Sequence, residues 1–352
     1  MVATETGPES ESEHAERQVR SLYGLVERTM AALLAEHTTE YGHLRTLVPA
    51  VLHGARPDRH EFALPLLVHG AESGDPAGAV PVAALHALWW RAANVIDDLA
   101  DGAAGEAVRR IDPGATMLAA FNWAYVVPVR VTERLPVPEW VRRALATEFL
   151  DACTAATEGQ LADLFTAPAE TSYAEILRIY RNKSSAPYAM ASAMAARTAG
   201  AGDERTEQWR LFGRCLGLLG QFRNDQEDLQ SGRMEDLANA TPTFHLVSLL
   251  NAGPPGARRD RVLALLHRAR EDRGARAELL ERMLDADVVR SYLAQIDRIR
   301  RDADRALDAL GGTAPFTAAL RARAHAAATP CDLLAEAARP APPPPVPERR
   351  PA

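Results

Sequence analysis

Residues 80–101 read VPVAALHALWWRAANVIDDLAD. Apolar residues fill nearly every position up to Ile96, so a helix over Val80 to Ala100 is expected, buried on most sides. Three aspartates close it. Asp97 and Asp101 are four apart, so on a helix both carboxylates point the same way. Aligned acids repel unless a cation lies between them, and acids at a helix C-terminus also oppose the helix dipole. Hard oxygen ligands suit Mg²⁺, which keeps waters and shares its remaining positions with substrate phosphates. The other reading is a solvated acidic helix end.

Outward from this stretch the same period recurs. Val19 to Leu34, Met117 to Thr132, Pro138 to Phe165, Tyr173 to Ala199, Glu207 to Leu229 and Val288 to Leu310 all carry helical apolar spacing. Gly and Pro clusters such as ESGDPAG, RIDPG, RLPVP, TAGAGD and NAGPPG separate them. No alternating run suggests a strand. The expected fold class is all-α: one helical domain over 19–335, after an acidic disordered N-terminus (1–18) and before a proline-rich disordered tail (336–352).

A second acid-rich stretch, GQFRNDQED at 220–228, ends another apolar run. Asn224 and Asp228 share a helical face, with Asp225 between them. Two acid-bearing helix ends over an apolar hollow would bind a greasy diphosphate through Mg²⁺.

The chain's 352 residues carry a formal net charge of −7, with 47% hydrophobic and 25% charged residues. Mild acidity argues against nucleic acid as a partner, since phosphates need a basic surface. Cys153, Cys215 and Cys331 form neither a CxxC nor an even framework, which points to a reducing, cytoplasmic setting. No apolar run approaches the ~20 residues of a membrane span, and no signal peptide is read at the N-terminus. Among 40 lysines and arginines there is one lysine, Lys183.

In order along the chain, these features resemble the trans-polyprenyl diphosphate synthase family and, through it, class I terpene synthases. Gly54 to Arg59 (GARPDR) looks like the family's GGKxxR. Asp97 to Asp101 matches its first aspartate-rich motif, and Arg109-Arg110 resembles its RRG. Gly159-Gln160 through Asp163-Leu164 matches GQxxDL, Lys183-Ser184 matches KT, and Gln221 to Asp228 matches FQxxDDxxD. The resemblance implies an isoprenoid-synthase helical bundle around a deep apolar cavity. It implies Mg²⁺, three ions with the diphosphate bound, held by Asp97, Asp101, Asn224 and Asp228, with Asp98 and Asp225 in the same catalytic motifs. Prenyl diphosphate is the implied substrate and a homodimer the implied assembly.

Departures from the pattern bear on activity. The family's histidine for isopentenyl diphosphate, seven residues before the first aspartate, is Trp90 here, and its GGKxxR lysine is Arg56. Asn224 replaces an aspartate, as in the NSE-type triad of cyclases, although Asp228 and Gly232 leave that triad incomplete. Arg178 is placed like the cyclase arginine that grips the departing diphosphate, or is an ordinary helical arginine. Lys183, with Arg181, is expected to contact the diphosphate, or is an ordinary helical lysine. Ala92 and Ala93 leave depth for a C15 or C20 chain. Trp89 and Trp90 either face a carbocation or belong to the core. Gln160, Gln221 and Phe222 complete the expected cavity lining.

Two activities follow. The first expectation is a class I terpene synthase that ionises an allylic C15 or C20 diphosphate, or a cyclised diphosphate supplied by a partner class II cyclase. The second is a chain-elongating prenyltransferase in which Arg56, Arg59, Arg109 and Arg110 hold isopentenyl diphosphate. A non-catalytic subunit of a heteromeric prenyl synthase is a third, less favoured because the first three aspartates are intact.

Overall fold

The computed structural model describes residues 10–53, 60–100, 111–253 and 256–339. Every regular element among them is helical. In chain order these are α1 (Glu11–Ser21), α2 (Tyr23–Thr38), α3 (Gly42–His53), α4 (His60–Ser73), α5 (Val80–Ala100), α6 (Pro113–Phe121), α7 (Val127–Arg134), α8 (Glu139–Phe165) and α9 (Tyr173–Tyr180). They continue with α10 (Ala186–Thr198), α11 (Asp203–Ser231), α12 (Glu235–Asn239), α13 (Phe244–Leu250), α14 (Ala257–Ala269), α15 (Arg273–Met283), α16 (Ala286–Leu310), α17 (Ala314–Ala328) and α18 (Asp332–Ala337). Two π-helical turns, Asn122–Val126 and Arg181–Ser185, join α6 to α7 and α9 to α10.

The N-terminal expectation needs correction. Residues 11–18 are helical, because Ser10 and Glu13 form a reciprocal capping box that satisfies orphan amides of the first turn. Ala15 and Val19 are fully buried, and Glu16 pairs with Arg323 of α17 at 2.5 Å. The run read as one helix from Val19 divides at Leu22.

The described residues gather into two compact units. Those of the first lie within 10–165, 177–221 and 298–328; those of the second lie within 166–176, 222–297 and 329–339. No linker composition marks this division, which is why the sequence reads as a single domain over 19–335. In the first unit α4 packs on α5, α10 and α17, while α8 lies along α10 and the 181–185 turn. Leu85, Leu88, Trp89 and Val95 of α5 are all buried, each contributing about 1.5–3 kcal/mol. A β-carbon at Gly213 would lie 2.4 Å from the Tyr188 carbonyl oxygen, and one at Gly217 would lie 2.7 Å from Ser185 Cα. Glycine at these positions lets α11 lie directly on α10 and the π turn.

In the second unit α14 and α15 pair, with α13 against α15 and α12 against α14. Leu237, Leu246, Leu249, Leu265, Leu279 and Met283 form its apolar core.

Candidate active site

α5 ends with Asp97 half-exposed and Asp98 exposed. Asp97 Oδ1 accepts a hydrogen bond from Gln160 Nε2 at 2.6 Å and lies 3.5 Å from Lys183 Nζ. The same ammonium donates to Asp163 Oδ2 at 2.6 Å. Three elements therefore converge: the end of α5, the end of α8 and the Arg181–Ser185 turn. The convergence depends on Gly159, where a β-carbon would meet the Lys183 backbone nitrogen at 2.2 Å. Next to the lysine, Ser184 Oγ donates to Gln221 Oε1, and Ser185 Oγ donates to the Arg214 carbonyl at 2.5 Å. These bonds anchor a π turn, an element recurrent at functional sites.

One ammonium faces two carboxylates, Asp97 and Asp163, and Asp98 follows Asp97 in the chain. Lys183 is 24% exposed and Asp163 14%, so their attraction is screened less than at a free surface. The donors are hard carboxylate oxygens, which suit a divalent cation. Among the described residues, no three acids, histidines or cysteines gather closely enough to hold an ion. Asp101, which would complete the first motif, lies outside the described residues, as do Arg56, Arg59, Arg109 and Arg110.

Upstream on α5, Trp90 is half-buried and meets Tyr188 edge-on, with ring centroids 5.5 Å apart. Trp89 and Ala92 are buried and Ala93 is half-buried. Two cavities among the described residues lie elsewhere. One of about 210 Å³ in the first unit is lined by α2 and α7 residues such as Leu33, His37 and Arg130. One of about 650 Å³ in the second unit is lined by Ala286, Leu293 and Arg339. Neither includes a residue of the aspartate motifs. Arg178 is exposed on α9.

In the second unit the acid motif divides by burial: Asn224 is exposed, while Asp225 and Asp228 are buried. The i, i+4 spacing keeps Asn224 and Asp228 on one side of the helix, with Asp228 the more buried of the two. Asp228 Oδ1 accepts from the Glu235 amide at 3.1 Å, and Oδ2 accepts from the Asp236 amide at 3.3 Å. It caps α12, whose preceding Met234 adopts a left-handed conformation (φ 51°). Phe222, read as a cavity wall, is fully buried against Phe244 and Tyr292, with centroids at 5.2 and 5.3 Å.

Sequence reasoning missed a buried network behind this motif. The Tyr292 hydroxyl donates to the Phe222 carbonyl at 3.0 Å, and Tyr292 stacks on His245 at 4.5 Å. His245 Nε2 donates to the Met283 carbonyl at 2.7 Å. Burial pushes the His245 pKa down to about 4. The only sequence signal for this group was polar residues inside apolar helices.

An all-helical chain with acid motifs at two helix ends and a lysine-bearing π turn belongs among the isoprenoid-synthase folds. The family model for polyprenyl synthetases matches residues 73–283, more than half of the chain, and the chain belongs to that family. The short chain isoprenyl diphosphate synthase of Methanothermobacter thermautotrophicus is 26% identical over 263 residues, 69% of this chain and 78% of that protein. The geranylgeranyl pyrophosphate synthetase of Pyrococcus horikoshii superposes with a TM-score of 0.77 at 16% identity, covering 91% of this chain and 99% of that one. The geranylgeranyl pyrophosphate synthase of Corynebacterium glutamicum, complexed with calcium and isoprenyl diphosphate, gives a TM-score of 0.73 at 20% identity over 91% and 98%. At these identities the structures establish the fold. Together the family and the curated relative side with chain elongation, the second of the two activities read from the sequence, over the terpene synthase placed first.

Proposed function

We propose that this chain is a divalent-metal-dependent prenyltransferase that joins isopentenyl diphosphate to an allylic prenyl diphosphate. The observation that carries the reading is the Asp97–Gln160–Lys183–Asp163 cluster, in which three motifs of the family meet in one hydrogen-bonded group. By motif order Asp97 and Asp101 would hold Mg²⁺ at the first motif and Asn224 and Asp228 at the second, with Asp98 and Asp225 in the same catalytic motifs. Asp228 would do so with lone pairs left over from its cap. When bound, the metal supplies charge neutralisation for the leaving diphosphate.

Lys183 presents a point charge to that diphosphate, and Asp163 holds it in place. Gln160 orients Asp97 by occupying Oδ1. Arg178 is a further diphosphate contact. Arg56, Arg59, Arg109 and Arg110 would grip the second diphosphate; arginine does so through bidentate contacts where the family's lysine offers a point charge. Ala92 and Ala93 favour a long product. The chain would act in the cytoplasm, in keeping with three free, buried cysteines.

A homodimer is part of the reading. Along α8 the positions 140, 143, 147, 150, 154, 157, 161 and 164 are all exposed, and they repeat at alternating steps of three and four, as in a helix–helix seam. Trp140, Leu150, Leu161 and Leu164 supply apolar area, 44–65% exposed. Leu118 and Phe121 extend the patch on α6. Two antiparallel copies crossing near Leu150 would set Arg143 against Glu158.

One observation favours the alternative, ionisation without isopentenyl diphosphate: Trp90 stands where the family's histidine would be, its ring near Tyr188. Products from C10, C15 and C20 diphosphates, each with and without isopentenyl diphosphate, decide between the two. Longer diphosphates formed only with isopentenyl diphosphate are expected. Volatile hydrocarbon formed without it would overturn elongation.

A further inference from the structure

Gln226 occupies the centre of the Asn224-to-Asp228 motif and is fully buried. An apolar side chain would fill such a position without any desolvation cost, so the amide is informative for the bonds it makes. Its Nε2 donates to the Phe222 carbonyl at 3.2 Å. Its Oε1 accepts from the backbone nitrogen of Cys331 at 2.8 Å. Cys331 is the N-cap residue of α18, so this bond ties the C-terminal helix to the middle of the acid motif. Tyr292 donates to the same Phe222 carbonyl from α16.

The bonds set the rotation of α11 at this point. Successive helical residues are ~100° apart, so a side chain two positions away points to nearly the opposite side. Holding Gln226 inward holds Asn224 outward, as observed. Without the amide the Cys331 N–H would be a buried donor lacking an acceptor, and the seat that fixes the rotation would loosen.

We propose that Gln226 is a positioning residue: by binding the Cys331 amide it locks the C-terminal helix to the acid-bearing stretch of α11, and metal affinity there depends on a side chain that does not hold the metal. The inference rests on the functional reading above, because it takes Asn224 and its neighbours to be metal ligands.

Two variants test it in the full-length protein. Gln226→Met keeps the length and loses both bonds. Cys331→Pro removes the N–H and the thiol but leaves the Gln226 side chain in place, at a residue whose φ of −65° already suits proline; it stays informative if the first variant fails to fold. Manganese(II) is titrated into each protein, and the free-ion electron paramagnetic resonance signal is followed. Gln226→Met is expected to weaken binding about tenfold, and Cys331→Pro about fivefold. In turnover assays the KM for magnesium should rise in parallel while kcat at saturating metal stays within threefold. If both variants bind manganese as the unaltered protein does, the proposal is overturned and Gln226 is only packing. If the unaltered protein itself binds no manganese, the functional reading falls instead.

Discussion

Lys183 is where charge is concentrated at the end of α5: its ammonium is 2.6 Å from Asp163 and 3.5 Å from Asp97. Lys183→Met should lower kcat/KM by about 100-fold, the usual loss when one preorganised donor to a leaving group is removed. Steady-state turnover checks this, and a fall of less than threefold would place the lysine outside the chemistry. Asp97, Gln160 and Lys183 were legible in the sequence because each sits in a short motif whose spacing survives. Asp228 was legible only as an acid. A carboxylate facing a metal and one capping two amides are written with the same letter, and the difference lies in Met234 turning the chain back toward it. Gln226 was illegible for a related reason, since its acceptor role depends on Cys331, far away in sequence.

Helices were read well wherever apolar residues kept the 3.6 period, as in α5, α8 and α11. The π turns were not, since five residues of wider winding leave the apolar pattern almost unchanged. α1 was hidden by composition: its acidic residues suggested a solvated tail, while the capping box Ser10-x-x-Glu13 marked a start. Ser10 also holds the Glu13 carboxyl below its ordinary pKa through backbone and hydroxyl hydrogen bonds. Replacing Ser10 with alanine should cost about 1 kcal/mol, seen as faster amide exchange across 11–18 with α17 unaffected. Unchanged exchange would mean that Ala15, Val19 and the Glu16–Arg323 pair alone fix the helix.

At the scale of the whole molecule, stability should depend on pH through His245. Its folded pKa of about 4 lies below the ordinary 6.5, so the unfolded chain binds an extra proton between those values. Stability is then greatest above about pH 6.5 and drains away as pH falls toward 4. Urea unfolding across that window should show the slope, and His245→Phe should flatten it. If the proposed homodimer forms through the exposed face of α8, Leu150→Arg with Leu161→Glu should convert a dimer to a monomer in sedimentation, whereas a species of unchanged mass would remove the seam from consideration. With arginine supplying every other basic side chain apart from histidine, an endoprotease specific for lysine has one bond to cut, between Lys183 and Ser184. That bond sits in the anchored turn beside the carboxylates. The rate at which the chain parts into two pieces therefore reads how often this turn opens, and occupancy by a diphosphate should slow it.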